Sequence, residues 1–179
     1  MSKTLTSLSA LVLMLAFAKT ALAEDVEIYL SDMLENNQSG YCLDIAGAKG
    51  ARANPDDGLQ GHTCYSPGGA LGVDQTFETN KFAEGVLYMP EFDVCVQISS
   101  VDAGTSIDLA VCDSGDAQSF AFSGEGTITP ASAPEMCFTV GEATRSGRGP
   151  TNQIKVLSLE PCAVDLAAYQ TWAVRSSID

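Results

Sequence analysis

The chain has 179 residues, and its 9 lysines and arginines against 23 aspartates and glutamates give a formal net charge of −14. That length suits one domain, and so acidic a balance argues against nucleic acid or an anionic membrane surface as a partner, because both attract clustered cations. Charged residues make up 18% and hydrophobic residues 45%, which excludes a disordered acidic tail and indicates a packed core.

The first 23 residues have the order of a secretory signal peptide. Lys3 lies in a short charged segment, residues 8–18 are largely apolar, and Ala21 and Ala23 supply the small residues of a cleavage site. The alternative is an uncleaved membrane anchor, which needs an apolar run of about 20 residues, longer than the run present here. We therefore predict a signal peptide at 1–23, a mature domain at 24–179 without membrane insertion, and a secreted or periplasmic location.

The six cysteines of an exported chain indicate disulfides rather than zinc ligands. Zinc sites use closely spaced cysteine or histidine pairs, whereas successive cysteines are far apart in this sequence and there is one histidine. Six cysteines allow 15 pairings in principle. We expect no metal site, and an internal repeat is needed to choose among the pairings.

One order of features occurs three times along the chain. Each copy has a cysteine in a short strand, an apolar run ending in a second cysteine, and a Gln-x-aromatic triplet, and the triplets begin at Gln75, Gln118 and Gln170. The spacing between copies is uneven, as expected for loop insertions on a common frame. Cysteines of the same copy are then predicted to pair, as Cys42–Cys64, Cys95–Cys112 and Cys137–Cys162.

Short runs with β-branched and aromatic residues, separated by Gly, Pro, Asn and Asp, predict strands and no long helix. The predicted strands are Val26–Leu30, Tyr41–Ile45, Leu59–Tyr65, Thr76–Thr79, Val86–Met89, Val94–Ile98, Ser106–Cys112, Ser119–Phe122, Gly126–Thr129, Met136–Val140, Gln153–Glu160 and Thr171–Val174. Four strands cannot bury their own hydrophobic face, so three four-stranded repeats are expected to share one core around a pseudo-threefold axis. The predicted fold class is all-β.

Three Gln-x-[Phe/Trp] triplets in register, each preceded by a cysteine pair, resemble the ricin B-type lectin family, which is also described as family 13 carbohydrate-binding modules. The resemblance covers roughly residues 26–175 and implies a β-trefoil fold. It also implies that Phe77, Phe120 and Trp172 are core residues and that the three triplet glutamines stabilise turns. Two of the three aromatics are Phe, where the family more often has Trp.

Sugar sites of this family combine a carboxylate, an aromatic platform and a polar pair near the triplet. Adjacent sugar hydroxyls bond to the carboxylate, and the C–H face of the sugar stacks on the ring. In the first repeat the resemblance implies a galactose-type site made of Asp44, Gln60, His62, Asp74 and Gln75, with His62 in the platform position and Asp74 where the family usually has Asn. The alternatives are a surface carboxylate that closes a turn, for Asp44, and an ordinary half-buried strand residue, for His62.

The other two repeats lack these residue types. The residues at the carboxylate, platform and Asn positions are Gln97, Ala110 and Ala117 in the second repeat and Thr139, Glu160 and Tyr169 in the third. We expect both repeats to be structural copies without a ligand.

The sequence therefore predicts a carbohydrate-binding domain that is not an enzyme and uses no cofactor, with a galactose-containing glycan as its partner. It has no G-x-S-x-G or H-E-x-x-H motif. Its glycine-rich residues 66–72 lack the Gly-Lys of a phosphate loop, and residues 54–58 form a turn rather than a calcium loop. The alternatives are a trefoil that has lost its sugar sites and binds another protein as a scaffold or inhibitor, and an accessory subunit of a secreted toxin or glycan-degrading complex.

Overall fold

The computed structural model describes residues 24–47 and 49–176, and the predicted signal peptide lies outside them. Short antiparallel strands dominate this part of the chain: β1 (Asp25–Leu30), β2 (Tyr41–Ile45), β3 (Leu59–Thr63), β4 (Thr76–Glu78), β5 (Tyr88–Met89), β6 (Val94–Ile98), β7 (Thr105–Ala110), β8 (Phe120–Ala121), β9 (Glu125–Gly126), β10 (Thr129–Pro130), β11 (Met136–Ser146), β12 (Gln153–Pro161) and β13 (Trp172–Arg175). One helical turn, α1 (Ala167–Gln170), and short 3₁₀ turns connect them. Within the described ranges, no helix is long and apolar enough to cross a membrane.

The strands follow the predicted order, and most of their ends lie within two residues of the predicted ones. Two differences are larger. The run predicted as one strand at Gly126–Thr129 is divided into β9 and β10, because Gly126 has φ of +104°, a conformation that interrupts an extended strand. Strand β11 continues past its predicted end at Val140 to Ser146, because Thr144, Arg145 and Ser146 pair with β12 beyond a register shift.

Each repeat contributes one hairpin: β2–β3, β6–β7 and β11–β12. Strand β12 also pairs with β3, where Ile154 faces His62, and with β7, where Ser158 faces Ser106. The three hairpins are thereby joined through the third one. At the two ends of the described chain, β1 pairs with both β4 and β13, which ties the first repeat to the last. This all-β arrangement is a β-trefoil.

The aromatic residues of the three triplets lie in one hydrophobic core. Phe77 and Trp172 are fully buried, and Phe120 is almost so. Phe120 packs edge-on against Phe138 with a centroid distance of 5.2 Å, and Trp172 Nε1 donates a hydrogen bond to the carbonyl of Phe138 at 3.1 Å. The indole therefore keeps a hydrogen-bond partner inside an apolar environment, as a buried Trp requires.

Three disulfides lie within the repeats, each joining the two cysteines of one copy. They are Cys42–Cys64, Cys95–Cys112 and Cys137–Cys162, the pairs that the repeat order predicts. Because they close loops with sequence separations of 22, 17 and 25 residues, each restricts the unfolded chain by roughly 3 kcal/mol in the chain-entropy account.

Candidate functional site

The triplet glutamine makes the same three hydrogen bonds in every repeat, an arrangement that we call the glutamine clamp. Its amide nitrogen donates to the side chain two residues after the first cysteine and to the carbonyl just before the second cysteine, and its oxygen accepts from the N–H just after that cysteine. Gln75 donates to Asp44 and to the Thr63 carbonyl. Gln118 donates to Gln97 and to the Val111 carbonyl. Gln170 donates to Thr139 and to the Pro161 carbonyl. The N–H donors to the same glutamines are those of Tyr65, Asp113 and Ala163.

In the first repeat the clamp ends on a buried carboxylate. Asp44 is fully buried, and its two oxygens accept hydrogen bonds from Gln60 Nε2 at 2.9 Å and from Gln75 Nε2 at 3.0 Å. Burial raises the pKa of Asp44 to about 7, although these two hydrogen bonds oppose the change. Asp44 is thus neither the surface carboxylate of the alternative interpretation nor open to a ligand in this arrangement.

His62 lies on β3, two residues after Gln60, and is 1% exposed. Its Nδ1 is 2.9 Å from the carbonyl of Thr63 and 3.5 Å from Nε2 of Gln75. A carbonyl can only accept, and its contact is much the shorter of the two, so we assign the proton to Nδ1. Burial lowers the pKa of His62, so the ring is neutral at pH 7 and Nε2 is an acceptor. Among the described residues Nε2 has no hydrogen-bond partner.

Asp74, the remaining member of the predicted set, is also fully buried. Its Oδ2 accepts a hydrogen bond from the backbone N–H of Gly50 at 2.7 Å, while Oδ1 has no partner in the described part of the chain. This contact connects the triplet turn to the loop between β2 and β3. The buried side chain of Asp74 therefore has a structural role, because it links two loops of the first repeat.

A cavity of about 310 Å³ opens beside His62. The first repeat contributes His62 and Tyr65 to its lining, and the third repeat contributes Arg145, Arg148, Asn152 and Ile154 from the β11–β12 hairpin. The His62 and Tyr65 rings are tilted by 50° with centroids 5.5 Å apart. All five residues predicted for the site are buried, and of these His62 lines this cavity whereas the other four do not.

The contribution of the third repeat was not predicted from the sequence. Residues 145–150 contain two arginines and two glycines in a chain poor in cations, which is a weak signal for a functional turn. The position of this segment follows from the pairing of β12 with β3, because Ile154 lies opposite His62. One direct contact connects it to the predicted set, a 3.1 Å hydrogen bond from Arg145 Nη2 to Gln60 Oε1.

A polar cluster anchors the third hairpin over the first repeat. The side chain of Lys155 is completely buried, and its ammonium contacts Glu35 Oε1 at 3.0 Å, the Glu142 carbonyl at 2.8 Å and the ring face of Tyr41 at 5.2 Å. Partial burial opposes ionisation of Glu35, but hydrogen bonds from Thr144, Tyr41 and Lys155 lower its pKa to about 2. The anion therefore persists at neutral pH and holds the segment that carries Arg145.

In the described residues, one group of side chains has the composition of a metal site, namely Glu27 with Cys42 and Cys64. The two sulfurs are bonded to each other, so they are not thiolates and cannot ligate a metal. This group is part of the disulfide framework.

No protein-family model matches the chain, and no curated protein matches it either. Several solved structures are similar in fold. An earthworm lectin C-terminal domain mutant, in complex with 6'-sialyllactose, has a TM-score of 0.55 at 19% identity over 86% of this chain and 98% of its own. The β-trefoil lectin of the Vibrio vulnificus hemolysin/cytolysin, with N-acetyl-D-lactosamine bound, has a TM-score of 0.51 at 16% identity over 89% and 98%.

The designed threefold-symmetric protein ThreeFoil is also similar, with a TM-score of 0.55 at 14% identity over 84% of this chain and 96% of its own. These likenesses confirm the β-trefoil fold that the resemblance of the three triplets implies. At such low identities they establish the fold alone, because one fold carries many functions.

Proposed function

We propose that this protein is a secreted carbohydrate-binding domain without catalytic activity, and that its sugar site is the cavity between the first repeat and the third hairpin. The main support is the unpartnered Nε2 of His62, a buried acceptor beside the Tyr65 ring in a polar cavity. An unpaired buried acceptor costs free energy, and a ligand hydroxyl that donates to it removes that cost.

The remaining lining suits a sugar. Burial, with the nearby carboxylates Asp44 and Asp74, raises the pKa of Tyr65, so its hydroxyl stays protonated and can donate. Asn152 offers both a donor and acceptors, and Ile154 supplies an apolar surface for the C–H face of a ring. A volume of about 310 Å³ lies at the small end of ligand sites, which suits one or two sugar rings.

Asp44 acts in this proposal as a positioning residue. It holds Gln60 through Oδ1, and Gln60 in turn accepts a hydrogen bond from Arg145 at the cavity. A direct contact between Asp44 and two sugar hydroxyls stays a prediction, and it requires Gln60 or Gln75 to release a carboxylate oxygen. The galactose-type preference is likewise a prediction. It is supported by the family resemblance and by the lactosamine and sialyllactose bound to similarly folded lectins.

A glycan array, followed by titration calorimetry with the best ligand, tests the proposal. We expect His62→Ala to weaken binding about tenfold or more, because the variant removes both the acceptor and the ring. Asp44→Ala and Gln97→Ala form a matched pair, since each removes the clamp acceptor of its repeat. We expect Asp44→Ala to weaken binding and Gln97→Ala to leave it unchanged, with circular dichroism and thermal unfolding as checks on the fold.

Retention on immobilised galactose tests the finer preference. If Gln97→Ala loses binding while His62→Ala binds like the wild type, the site lies outside the first repeat. If the wild-type protein binds no glycan on the array, the scaffold or inhibitor alternative replaces the proposal.

A further inference from the structure

Arginine side chains in the lining of the cavity beside His62 carry positive charge, although the protein as a whole is strongly acidic. Arg145 and Arg148 both line it, and among the described residues no aspartate or glutamate lines it. The whole chain has 9 lysines and arginines against 23 acidic residues. Two guanidinium groups, without a carboxylate in the described part of the wall, therefore give this lining a charge opposite in sign to the net charge of the chain.

Neither arginine is neutralised within the described part of the chain. The ion pairs found there join Lys81 to Glu84, Lys155 to Glu35 and Arg175 to Glu27. Arg145 donates one hydrogen bond, to the neutral amide oxygen of Gln60, and a guanidinium has five N–H donors. Most of the donors of this pair therefore remain available at the cavity.

The two arginines also belong to one hairpin and line the same cavity. Arg145 is paired with Ile154 in the β11–β12 ladder, and Arg148 follows three residues later in the turn of the same hairpin. The buried Lys155 contacts the Glu142 carbonyl and Glu35, which fixes the hairpin on the first repeat. A guanidinium fork binds a planar or tetrahedral oxyanion through two parallel hydrogen bonds, and this hairpin presents two such forks.

We infer that the ligand of this cavity is an anionic sugar, whose carboxylate or sulfate group is bound by Arg145 and Arg148 while its ring packs beside His62 and Tyr65. This inference rests on the proposed function and specifies its ligand class. The neutral Nε2 of His62 accepts from a hydroxyl of the same sugar, so one cavity recognises both the charge and the hydroxyls. In a protein with net charge −14, long-range repulsion disfavours anions in general, so short-range contacts must provide the affinity.

Matched pairs of glycans test the inference. Lactose is compared with 3'-sialyllactose for the carboxylate, and galactose with its 3-sulfate for the sulfate ester, by titration calorimetry on the full secreted protein. We expect the acidic member of at least one pair to bind about tenfold or more tightly than its neutral parent.

Two variants and a surface-lysine control show where the preference originates. Arg145→Gln/Arg148→Gln should reduce the acidic-to-neutral affinity ratio to about one, and Arg148→Lys should retain part of it, because the charge remains but the fork is lost. Lys81→Gln removes one cation from the surface of the second repeat and should leave the ratio unchanged. Thermal unfolding confirms that each variant is folded.

The results separate this inference from the function on which it rests. If neutral and acidic sugars bind equally well to the wild type, or if the arginine variants weaken both to the same extent, the inference is wrong and carbohydrate binding stands. If no sugar of either kind binds, the proposed function fails. If Lys81→Gln lowers the ratio as much as the double variant does, the preference comes from overall charge and the assignment to this cavity is wrong.

Discussion

In the first repeat the clamp glutamine Gln75 donates to a buried carboxylate, whereas in the second repeat Gln118 donates to the amide oxygen of Gln97 at 3.2 Å. The other two hydrogen bonds of the clamp are the same in both repeats. The position two residues after the first cysteine therefore serves the fold first, and an acceptor of any kind is sufficient there. What distinguishes the first repeat is the network built on top of that acceptor.

In the first repeat, hydrogen bonds continue from the glutamine clamp to the third hairpin, which covers this repeat. Gln60 connects Asp44 to Arg145, and His62 provides an aromatic ring where the second repeat has Ala110. The second repeat also has a cavity beside its clamp, of about 250 Å³, whose lining includes Lys81, Glu84 and Gln118. There the acidic Glu84 pairs with Lys81, so the lining of this cavity does not have the positive charge of the first cavity's lining.

The largest expected effect concerns what the repeats have in common, the buried aromatic of each triplet. Trp172→Ala should lower the free energy of unfolding by about 3–5 kcal/mol, because it leaves a cavity in the core. Trp172→Phe gives the third triplet the aromatic of the other two and should cost less, about 1–3 kcal/mol, through the donor lost to the Phe138 carbonyl. Denaturant unfolding measures both. A native emission spectrum typical of a water-exposed indole would contradict this core position.

The second effect separates the carboxylate clamp from the amide clamp by pH. The pKa of Asp44 is raised from 3.8 to about 7 in the folded protein, so the folded state binds a proton that the unfolded state has released. The contribution of Asp44 to stability is therefore greatest below about pH 4, falls as pH rises to about 7, and is constant above that. A pKa difference of this size corresponds to about 4 kcal/mol at most.

Asp44→Asn isolates this contribution. Burial lowers the pKa of His62, which destabilises the fold in acid, but that effect is common to the wild type and the variant. The free energy of unfolding of the wild type, minus that of Asp44→Asn, should fall as pH rises from 4 to 7. A difference that is flat across this range, or that rises, would show that Asp44 is ionised and well solvated in the folded protein.

The smallest expected effect is the difference in stability lost when the glutamine clamp of the first or of the second repeat is removed. Gln75→Ala should cost about 2–3 kcal/mol at pH 8, and Gln118→Ala about 1–2 kcal/mol, because the first leaves a buried charged acceptor without a donor and the second a neutral one. The difference between these two costs should be smaller at pH 5, where Asp44 is protonated. Equal costs at pH 8 would mean that solvent or a neighbouring side chain replaces the Gln75 donor.

Much of the fold could be predicted from local sequence. The strand order, the cysteine pairs and the positions of the triplet glutamines follow from repeated spacings, because a disulfide or a clamp joins residues of the same repeat. The residue set around Asp44 could be identified for the same reason, since Gln60, His62 and Gln75 are its neighbours across one hairpin and one turn. The burial of this residue set could not be predicted, because its exposure depends on which other repeat packs against it.

The sequence by itself thus determined three similar all-β repeats, their disulfides and the residue types of the candidate site in the first repeat. Only the tertiary structure decided that the third hairpin lies over that site, where β12 pairs with β3 and brings Arg145, Arg148, Asn152 and Ile154 beside His62. Residues about 80 or more positions apart meet there. That contact depends on how the three hairpins pair with one another around a shared axis, and no periodicity within a single repeat records this pairing.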